Sequence, residues 1–228
     1  MNAIHGLANA FVRLDPLTPE HVEPLAAAAA EKPAEYALAP VPVDVAGMRA
    51  YVHAALADAA ANRALPFAIV RQDGNVGNVG KHGTVVGSTR FMNLEWWSWP
   101  PGPIRVAGEP RRLDAGAPPD VVEIGHAWLA ASAIRTEVNT AACLLLMTHA
   151  FEVWRVHRLT LKTDARNTRS RAAIERLGGR FEGILRSHLP AADGIVRDTA
   201  MFSMLPGEWP AAKLRLESAL GRGHDGRP

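Results

Sequence analysis

The sequence predicts a single α/β domain organised around a strand, helix, strand unit. Residues 121–129 form an apolar segment typical of a strand, residues 138–151 form an apolar helix, and residues 158–163 again resemble a strand. Strand-like and helix-like segments follow one another through the rest of the chain. A length of 228 residues, 48% of them hydrophobic and 21% charged, is sufficient for one sizeable core.

The N-terminal part of the chain predicts one short strand and two helices. Residues 11–18 alternate in polarity, which indicates a strand. The Thr-Pro-Glu sequence at 18–20 is a helix-start signature, and the first helix should end near residue 30. After the proline-rich connector 33–42, Asp44 caps a longer helix that ends near residue 63. Its apolar face is formed by Met48, Tyr51, Val52, Ala55 and Leu56.

Two further strands are predicted at residues 66–71 and 84–92. The segment between them, residues 73–83, contains several glycines and repeats Gly-Asn-Val. No helix follows this segment, so we interpret it as a flexible hairpin loop and not as a phosphate-binding loop.

The connection at residues 93–120 is long for a compact domain, and we expect it to be an acceptor-side binding loop. It carries Trp96, Trp97 and Trp99 near its start. These three side chains either line an acceptor pocket or fold back onto the core, and the sequence leaves both alternatives open.

The helix that begins at Val138 is the predicted anion site of the chain. The first backbone N–H groups of a helix have no intrahelical partner, and they lie at the positive end of the helix dipole. An anion such as a pyrophosphate is therefore stabilised at this terminus.

The C-terminal part predicts a helix, two strands and a last helix. Asn167 leads into the first helix, whose apolar face contains Ile174 and Leu177 and which ends at Gly178. Strands are expected at 180–187 and 196–204, and a terminal helix at 208–220. The predicted domain covers residues 8–220, and residues 221–228 are expected to form a flexible tail.

Composition disfavours several classes of function. A net charge of +2 gives no strong case for a nucleic-acid or membrane partner. The single cysteine, Cys143, cannot form an intrachain disulfide, and the nine histidines include no zinc-binding motif, so we expect no metal. No apolar run is long enough to span a bilayer and no signal peptide is evident, which predicts a cytoplasmic protein.

The segment from Asn167 onward resembles a known family. The spacing Asn167-x-x-Ser170, the glutamate at position 175 before Gly178, and Glu182-Gly183-x-x-Arg186 are similar to signatures of the GNAT N-acetyltransferases, in the RimJ and RimL branch. The resemblance implies a mixed, mostly antiparallel sheet that splays between the family's fourth and fifth strands. These correspond to residues 121–129 and 158–163, and acetyl-CoA would lie in the gap as cosubstrate.

The resemblance also implies which residues contact acetyl-CoA. The backbone at Trp128, Leu129 and Ala130 would pair with the pantetheine arm. The turn at 134–139 departs from the family because it contains no glycine, and Glu137 lies where a glycine is common. The remaining expected contacts are with Arg135, Val138, Asn139, Thr140, Ala141, Asn167, Ser170 and Arg171.

Amine acetylation requires a neutral amine, a polarised carbonyl and a proton for the departing thiolate. In this branch the serine of the Asn-x-x-Ser motif is a candidate donor of that proton, and it corresponds to Ser170. The equal alternative is that the Ser170 hydroxyl only hydrogen-bonds the first turn of its helix. Glu123 is the first candidate base and substrate contact, and the alternative is a surface or ion-paired residue. His126 is the rival base. Strand alternation would place Glu123 with Leu129 on one face, and His126 with Trp128 on the other.

The function predicted is direct transfer of an acetyl group from acetyl-CoA to a primary amine, either a protein N-terminus or a small molecule. A catalytically silent CoA-binding module is the alternative, and a nucleic-acid-binding protein is a weaker third. Related proteins often pair, so a homodimer stays open beside a monomer.

Overall fold

The computed structural model describes residues 4–72, 83–99 and 116–224, and side chains up to residue 221. Its centre is one mixed sheet of eight strands in the order β1-β2-β3-β4-β5-β6-β8-β7. The strands are β1 (Leu7–Ala8), β2 (Val12–Pro16), β3 (Ala64–Arg71), β4 (Thr84–Glu95), β5 (Val121–Leu129), β6 (Arg158–Asp164), β7 (Arg180–Pro190) and β8 (Val196–Met204).

Five α-helices flank the sheet, and two of them are capped as the sequence predicts. The Asp44 carboxylate accepts from the N–H of Gly47, and the Asn167 side chain accepts from the N–H of Ser170. The helices are α1 (Val22–Ala30), α2 (Val45–Ala60), α3 (Val138–Thr148), α4 (Thr168–Leu177) and α5 (Trp209–His224). Short 3-10 turns lie at Pro19–His21, Pro33–Tyr36 and Ala131–Ala133, and a π-helical turn, His149–Val153, extends α3.

All neighbouring strands are antiparallel except β5 and β6, which run parallel. Their pairing covers three residue pairs, from Val121 with Arg158 to Glu123 with Thr160. β5 continues for six residues beyond this point and β6 for four. We call the paired part of β5 its closed end and the part from Ile124 to Leu129 its open end.

A β-bulge in β5 changes the direction of the side chains at the open end. On β4, Ser88 and Arg90 are two residues apart, but their partners Trp128 and Gly125 on β5 are three apart. The extra residue is accommodated near His126, whose φ is 48°. The predicted alternation is therefore wrong beyond this position, because Trp128 shares the face of Gly125 and Glu123.

The two faces of the sheet are covered by different helices. On one face, Tyr51 of α2 contacts Ser88 and Arg90 of β4. On the other, Phe91 packs against His149 and Trp154, which follow α3. The polar face beneath α2 and the face beneath α3 are thus separated by the sheet itself.

Several predicted boundaries differ from the structure. β4 continues to Glu95, three residues beyond the prediction, and α5 continues to His224, four residues beyond it. The short strand β1 was missed, since two residues carry no recognisable periodicity. Outside the described residues lie residues 73–82 of the predicted hairpin loop, residues 100–115 of the long loop and residues 225–228 of the tail. The domain limits 8–220 stay a prediction.

Candidate functional site at the open end of β5

Glu123 lies where the backbone pairing of β5 and β6 stops. Its buried carboxylate accepts hydrogen bonds from Asn93 Nδ2 at 2.8 Å and from Lys162 Nζ at 3.0 Å. Lys162 is on β6, so the ion pair joins the two strands just beyond their last backbone pair. The alternative that the sequence left open, an ion-paired Glu123, is what the geometry shows.

His126 is exposed at the bulge and faces Tyr51, with ring centroids 6.3 Å apart. Desolvation by surrounding protein atoms, together with the positive charges of Arg90, Lys162 and Arg197, lowers the pKa of His126 to about 4. The imidazole is therefore neutral at pH 7, with an edge open to solvent.

Some backbone N–H and C=O groups after the bulge already have hydrogen-bond partners within the protein. The Tyr36 hydroxyl donates to the carbonyl oxygen of Leu129 at 2.8 Å. Ala130 donates its N–H to Val86 O at 2.7 Å and accepts from the N–H of Ala133 at 2.9 Å. Since the Ala130 N–H points toward β4, strand alternation directs the Leu129 N–H to the opposite side, toward the gap. The Ala130 N–H is thus already bonded, whereas the Leu129 N–H faces the gap, and the pairing of Trp128, Leu129 and Ala130 with the pantetheine arm stays a prediction.

The N-terminus of α3 has fewer available N–H groups than expected. Val138 donates to Thr136 Oγ1 at 3.3 Å, and Ala141 donates to Glu137 O at 2.9 Å. The expectation that the Ala141 N–H is available is therefore wrong, because the helix already includes it. In the part of the chain that the structure describes, the N–H groups of Asn139 and Thr140 have no partner.

Arg135 occupies the conformation that a glycine would take in this turn. Its φ is 64°, in the left-handed region, and its side chain is exposed. The backbone thus adopts a glycine-like conformation although residues 134–139 contain no glycine.

At the start of α4, Asn167 Oδ1 accepts from the N–H of Ser170 at 3.0 Å. The structure confirms Asn167 as the helix cap. The Ser170 hydroxyl is half-buried and has no hydrogen-bond partner among the described residues. It therefore retains its proton for a ligand.

The arginines around α4 are engaged with the protein itself. Arg171 donates to Ala165 O at 3.3 Å and lies over the Phe181 ring. Arg166 is paired with Asp164 and Asp193, and Arg169 is paired with Glu35. A contact of Arg171 with acetyl-CoA stays a prediction, and it would require this guanidinium to turn.

The three tryptophans of the long loop lie at the closed end of β5. Trp97 stacks on His157, and the Asp120 carboxylate accepts from the Trp97 N–H at 2.8 Å and from Trp99 Nε1 at 3.2 Å. Trp96 donates to Ala117 O at 2.9 Å. Asp120 directly precedes β5, so this cluster is about 26 Å from Leu129 along the strand. The described part of the loop folds back, and the structure does not bring these tryptophans to the open end.

Sequence reasoning missed four residues that the fold brings to Glu123 and the open end: Tyr36, Arg90, Lys162 and Asn93. A signal was present for Arg90, a charged residue inside a predicted strand and directly before Phe91, whereas Lys162 follows the ordinary polar alternation of residues 158–163.

Within the described residues, no group of histidine, cysteine, aspartate and glutamate could hold a metal ion. None of the described helices is both long and apolar enough to cross a bilayer.

The sequence pattern of the acetyltransferase (GNAT) domain matches residues 12–180, about three quarters of the chain. The chain belongs to the GNAT acetyltransferase family. This confirms the family predicted from the Asn-x-x-Ser region.

Known proteins are similar to this GNAT chain over part or nearly all of its length. A Bacillus subtilis protein named "Putative ribosomal N-acetyltransferase YdaF" is 36% identical over 91 residues, which are 40% of this chain and 49% of that protein. The match thus spans about half the length of this curated relative. A GCN5-related N-acetyltransferase from Brucella melitensis is 28% identical with a TM-score of 0.70, covering 93% of this chain and 84% of its own. Mycobacterium smegmatis RimJ, solved with a CoA-disulfide, has the same fold at 24% identity and a TM-score of 0.67, covering 91% and 88%.

Proposed function

We propose that this GNAT protein transfers the acetyl group of acetyl-CoA directly to a primary amine at the open end of β5. One observation carries the proposal: backbone pairing between β5 and β6 stops at Glu123 and Thr160, although both strands continue. Beyond this point the facing edges of β5 and β6 have no backbone pairing with each other. An extended cosubstrate arm that carries amide groups can form hydrogen bonds with such an edge. The family match supports acetyl-CoA as that cosubstrate.

We expect the donors that would hold acetyl-CoA to lie around this gap. The Leu129 N–H is directed toward the gap, where it can bond the pantetheine arm or the thioester carbonyl. The free N–H groups of Asn139 and Thr140 lie at the positive end of the α3 dipole, where the pyrophosphate would be stabilised. Asn167 caps α4 through its oxygen, so its side-chain N–H₂ stays available for the cosubstrate.

The electrostatics near His126 favour the reactive form of the acceptor. The same positive charges that lower the pKa of His126 would lower the pKa of a bound ammonium group, because like charges disfavour the charged form. We assign His126 as the group that accepts a hydrogen bond from the amine and relays its proton to water, because an imidazole whose pKa is about 4 does not retain that proton near pH 7. Glu123 then acts as a positioning residue, because its carboxylate is held by Asn93 and Lys162.

Ser170 is the proposed proton donor to the departing thiolate, because its hydroxyl is free and it lies at the start of α4. Tyr36 is the rival donor. Its hydroxyl bonds Leu129 O, and burial together with the charges of Glu31 and Glu35 raises its pKa to about 12, so it is protonated at every working pH. Arg169 precedes Ser170 in the sequence and Glu35 precedes Tyr36, and these two neighbours form an ion pair.

The acceptor is a protein N-terminus or a small amine. The name of the Bacillus subtilis relative favours an N-terminus of a ribosomal protein. The alternative, a protein that binds CoA without transfer, draws support from the pairing of Glu123, which leaves no free carboxylate base at the gap among the described residues.

The proposal is tested by acetyl-CoA turnover with a panel of amines and N-terminal peptides, followed as thiol release and as product mass. We expect acetylated product, and a loss of kcat of about 100-fold in Ser170→Ala with little change in thermal stability. Tyr36→Phe is the matched control and should retain most activity. Tight acetyl-CoA binding without any product would favour the silent CoA-binding module and overturn the transferase.

A further inference from the structure

The face beneath α2 contains a buried arginine whose charge is poorly compensated. Arg90 is 4% exposed and lies on β4 opposite Gly125. The nearest carboxylate oxygen, on Asp58, is 3.9 Å from Arg90 Nη1, and Asp58 is bonded more closely to Arg63 at 2.7 Å. Arg90 Nε is buried and has no hydrogen-bond partner among the described residues.

A second arginine faces the same region from the other side of the gap. Met201 of β8 pairs with Lys162, so alternate residues of β8, including Arg197, share the face of Lys162 and Glu123. Arg197 Nε is also buried and without a partner in the described part of the chain. Both arginines are near enough to His126 to act on its charge.

This site is separate from the expected phosphate site of acetyl-CoA. Arg90 lies beneath the Tyr51 ring of α2, with 5.2 Å from the guanidinium carbon to the ring centroid. Its neighbour on β4, Phe91, points to the opposite face, where it packs against the end of α3. The sheet therefore lies between Arg90 and the helix whose N-terminus would hold the pyrophosphate.

A buried guanidinium is stable when a carboxylate or a phosphate accepts its hydrogen bonds, and its planar fork suits both groups. We infer, on the basis of the proposed function, that the amine acceptor carries an acidic group, a carboxylate or a phosphate, that binds Arg90 with Arg197 facing it across the gap. His126 lies between these elements on β5, so an acceptor held there has its amine beside the proposed base.

The inference is tested with pairs of amines that differ only in the acidic group: β-alanine with β-alaninamide, phosphoethanolamine with ethanolamine, and peptides with Asp or Asn as second residue. The acidic member of the accepted pair should have a kcat/KM higher by about 10- to 100-fold. Which pair is accepted distinguishes a carboxylate from a phosphate, and a small amine from a peptide.

Arg90→Gln should bring this ratio close to one and leave the KM for acetyl-CoA unchanged. Arg197→Gln should reduce the ratio as well, and it provides the test if Arg90→Gln does not fold. Arg180→Gln is the matched control, because this arginine is exposed and paired with Glu208, and it should keep the ratio.

Equal kcat/KM for acidic and neutral members, or a ratio that both variants retain, would overturn the inference and leave the acetyltransferase intact. Absence of product from every amine, neutral ones included, would instead reject the proposed function and the inference with it.

Discussion

The two ends of β5 satisfy their polar groups in opposite ways. At the closed end, the Asp120 carboxylate accepts bonds from Trp97 and Trp99, and β5 pairs with a strand on each side. At the open end, the N–H groups of Asn139 and Thr140 and the hydroxyl of Ser170 have no partner among the described residues. Both groups are polar, but those at the closed end stabilise the fold, whereas those without a partner are available to bind a ligand.

The largest expected effect is on the ion pair at the boundary between the two ends. Lys162→Met leaves the buried Glu123 carboxylate without its cation, which should lower the free energy of unfolding by about 3–5 kcal/mol. Denaturant unfolding measures this loss. The double variant Glu123→Gln with Lys162→Met should recover most of it, and a double variant as unstable as the single one would contradict the pairing.

The next effect concerns the N-terminus of α3. Asn139→Asp places a negative charge at the positive end of the helix dipole, which should stabilise the free protein by about 0.3–1 kcal/mol. The same charge should weaken acetyl-CoA binding about tenfold, because it repels the pyrophosphate. Calorimetric titration and thermal unfolding measure the two changes.

Ala46→Asp is the matched control, since it makes the same kind of change in the first turn of α2, at an exposed position on the opposite face. It should leave acetyl-CoA affinity unaltered. If Asn139→Asp and the unaltered protein bind acetyl-CoA with equal affinity, the pyrophosphate does not bind at the N-terminus of α3.

A smaller effect is expected at the closed end. Trp99→Phe removes the 3.2 Å bond to Asp120 and should lower the free energy of unfolding by about 1 kcal/mol. Because the described tryptophans are distant from the open end, the KM values for acetyl-CoA and for the amine should not change. A rise in the KM for the amine would contradict this and show that Trp99 contributes to acceptor binding.

The last effect is absent at neutral pH, because it is the pH dependence contributed by His126. Its folded pKa of about 4 is below the ordinary value of 6.5, so the unfolded chain binds the proton first as the pH falls. Stability from this group is therefore full above about pH 6.5 and declines toward pH 4. NMR titration of the imidazole should give a midpoint near 4, and His126→Gln should remove this part of the decline. A midpoint near 6.5 would contradict the effect of desolvation and of the neighbouring positive charges on this imidazole.

Local signals predicted one half of the site, and tertiary contacts determine the other half. The cap of α4 by Asn167 and the start of α3 at Val138 depend on a few consecutive residues, so both were predicted correctly. The bulge at His126 depends on the register of β4, and strand alternation alone assigned the wrong face to Trp128.

Long-range pairs were beyond sequence reasoning for the same physical cause. Tyr36 contacts Leu129 across 93 positions, and Lys162 contacts Glu123 across 39. Neither pair leaves a periodic pattern in the sequence. The ion pair that favours a positioning role for Glu123, in place of a role as base, is therefore visible only in the fold.

Amide hydrogen exchange with and without acetyl-CoA tests the central claim, that acetyl-CoA binds at the open end of β5. The account predicts slower exchange over residues 127–142 and 165–171 at saturating acetyl-CoA, and unchanged exchange at 93–99 and 116–122. Protection confined to the closed end, or no protection at the open end, would contradict it.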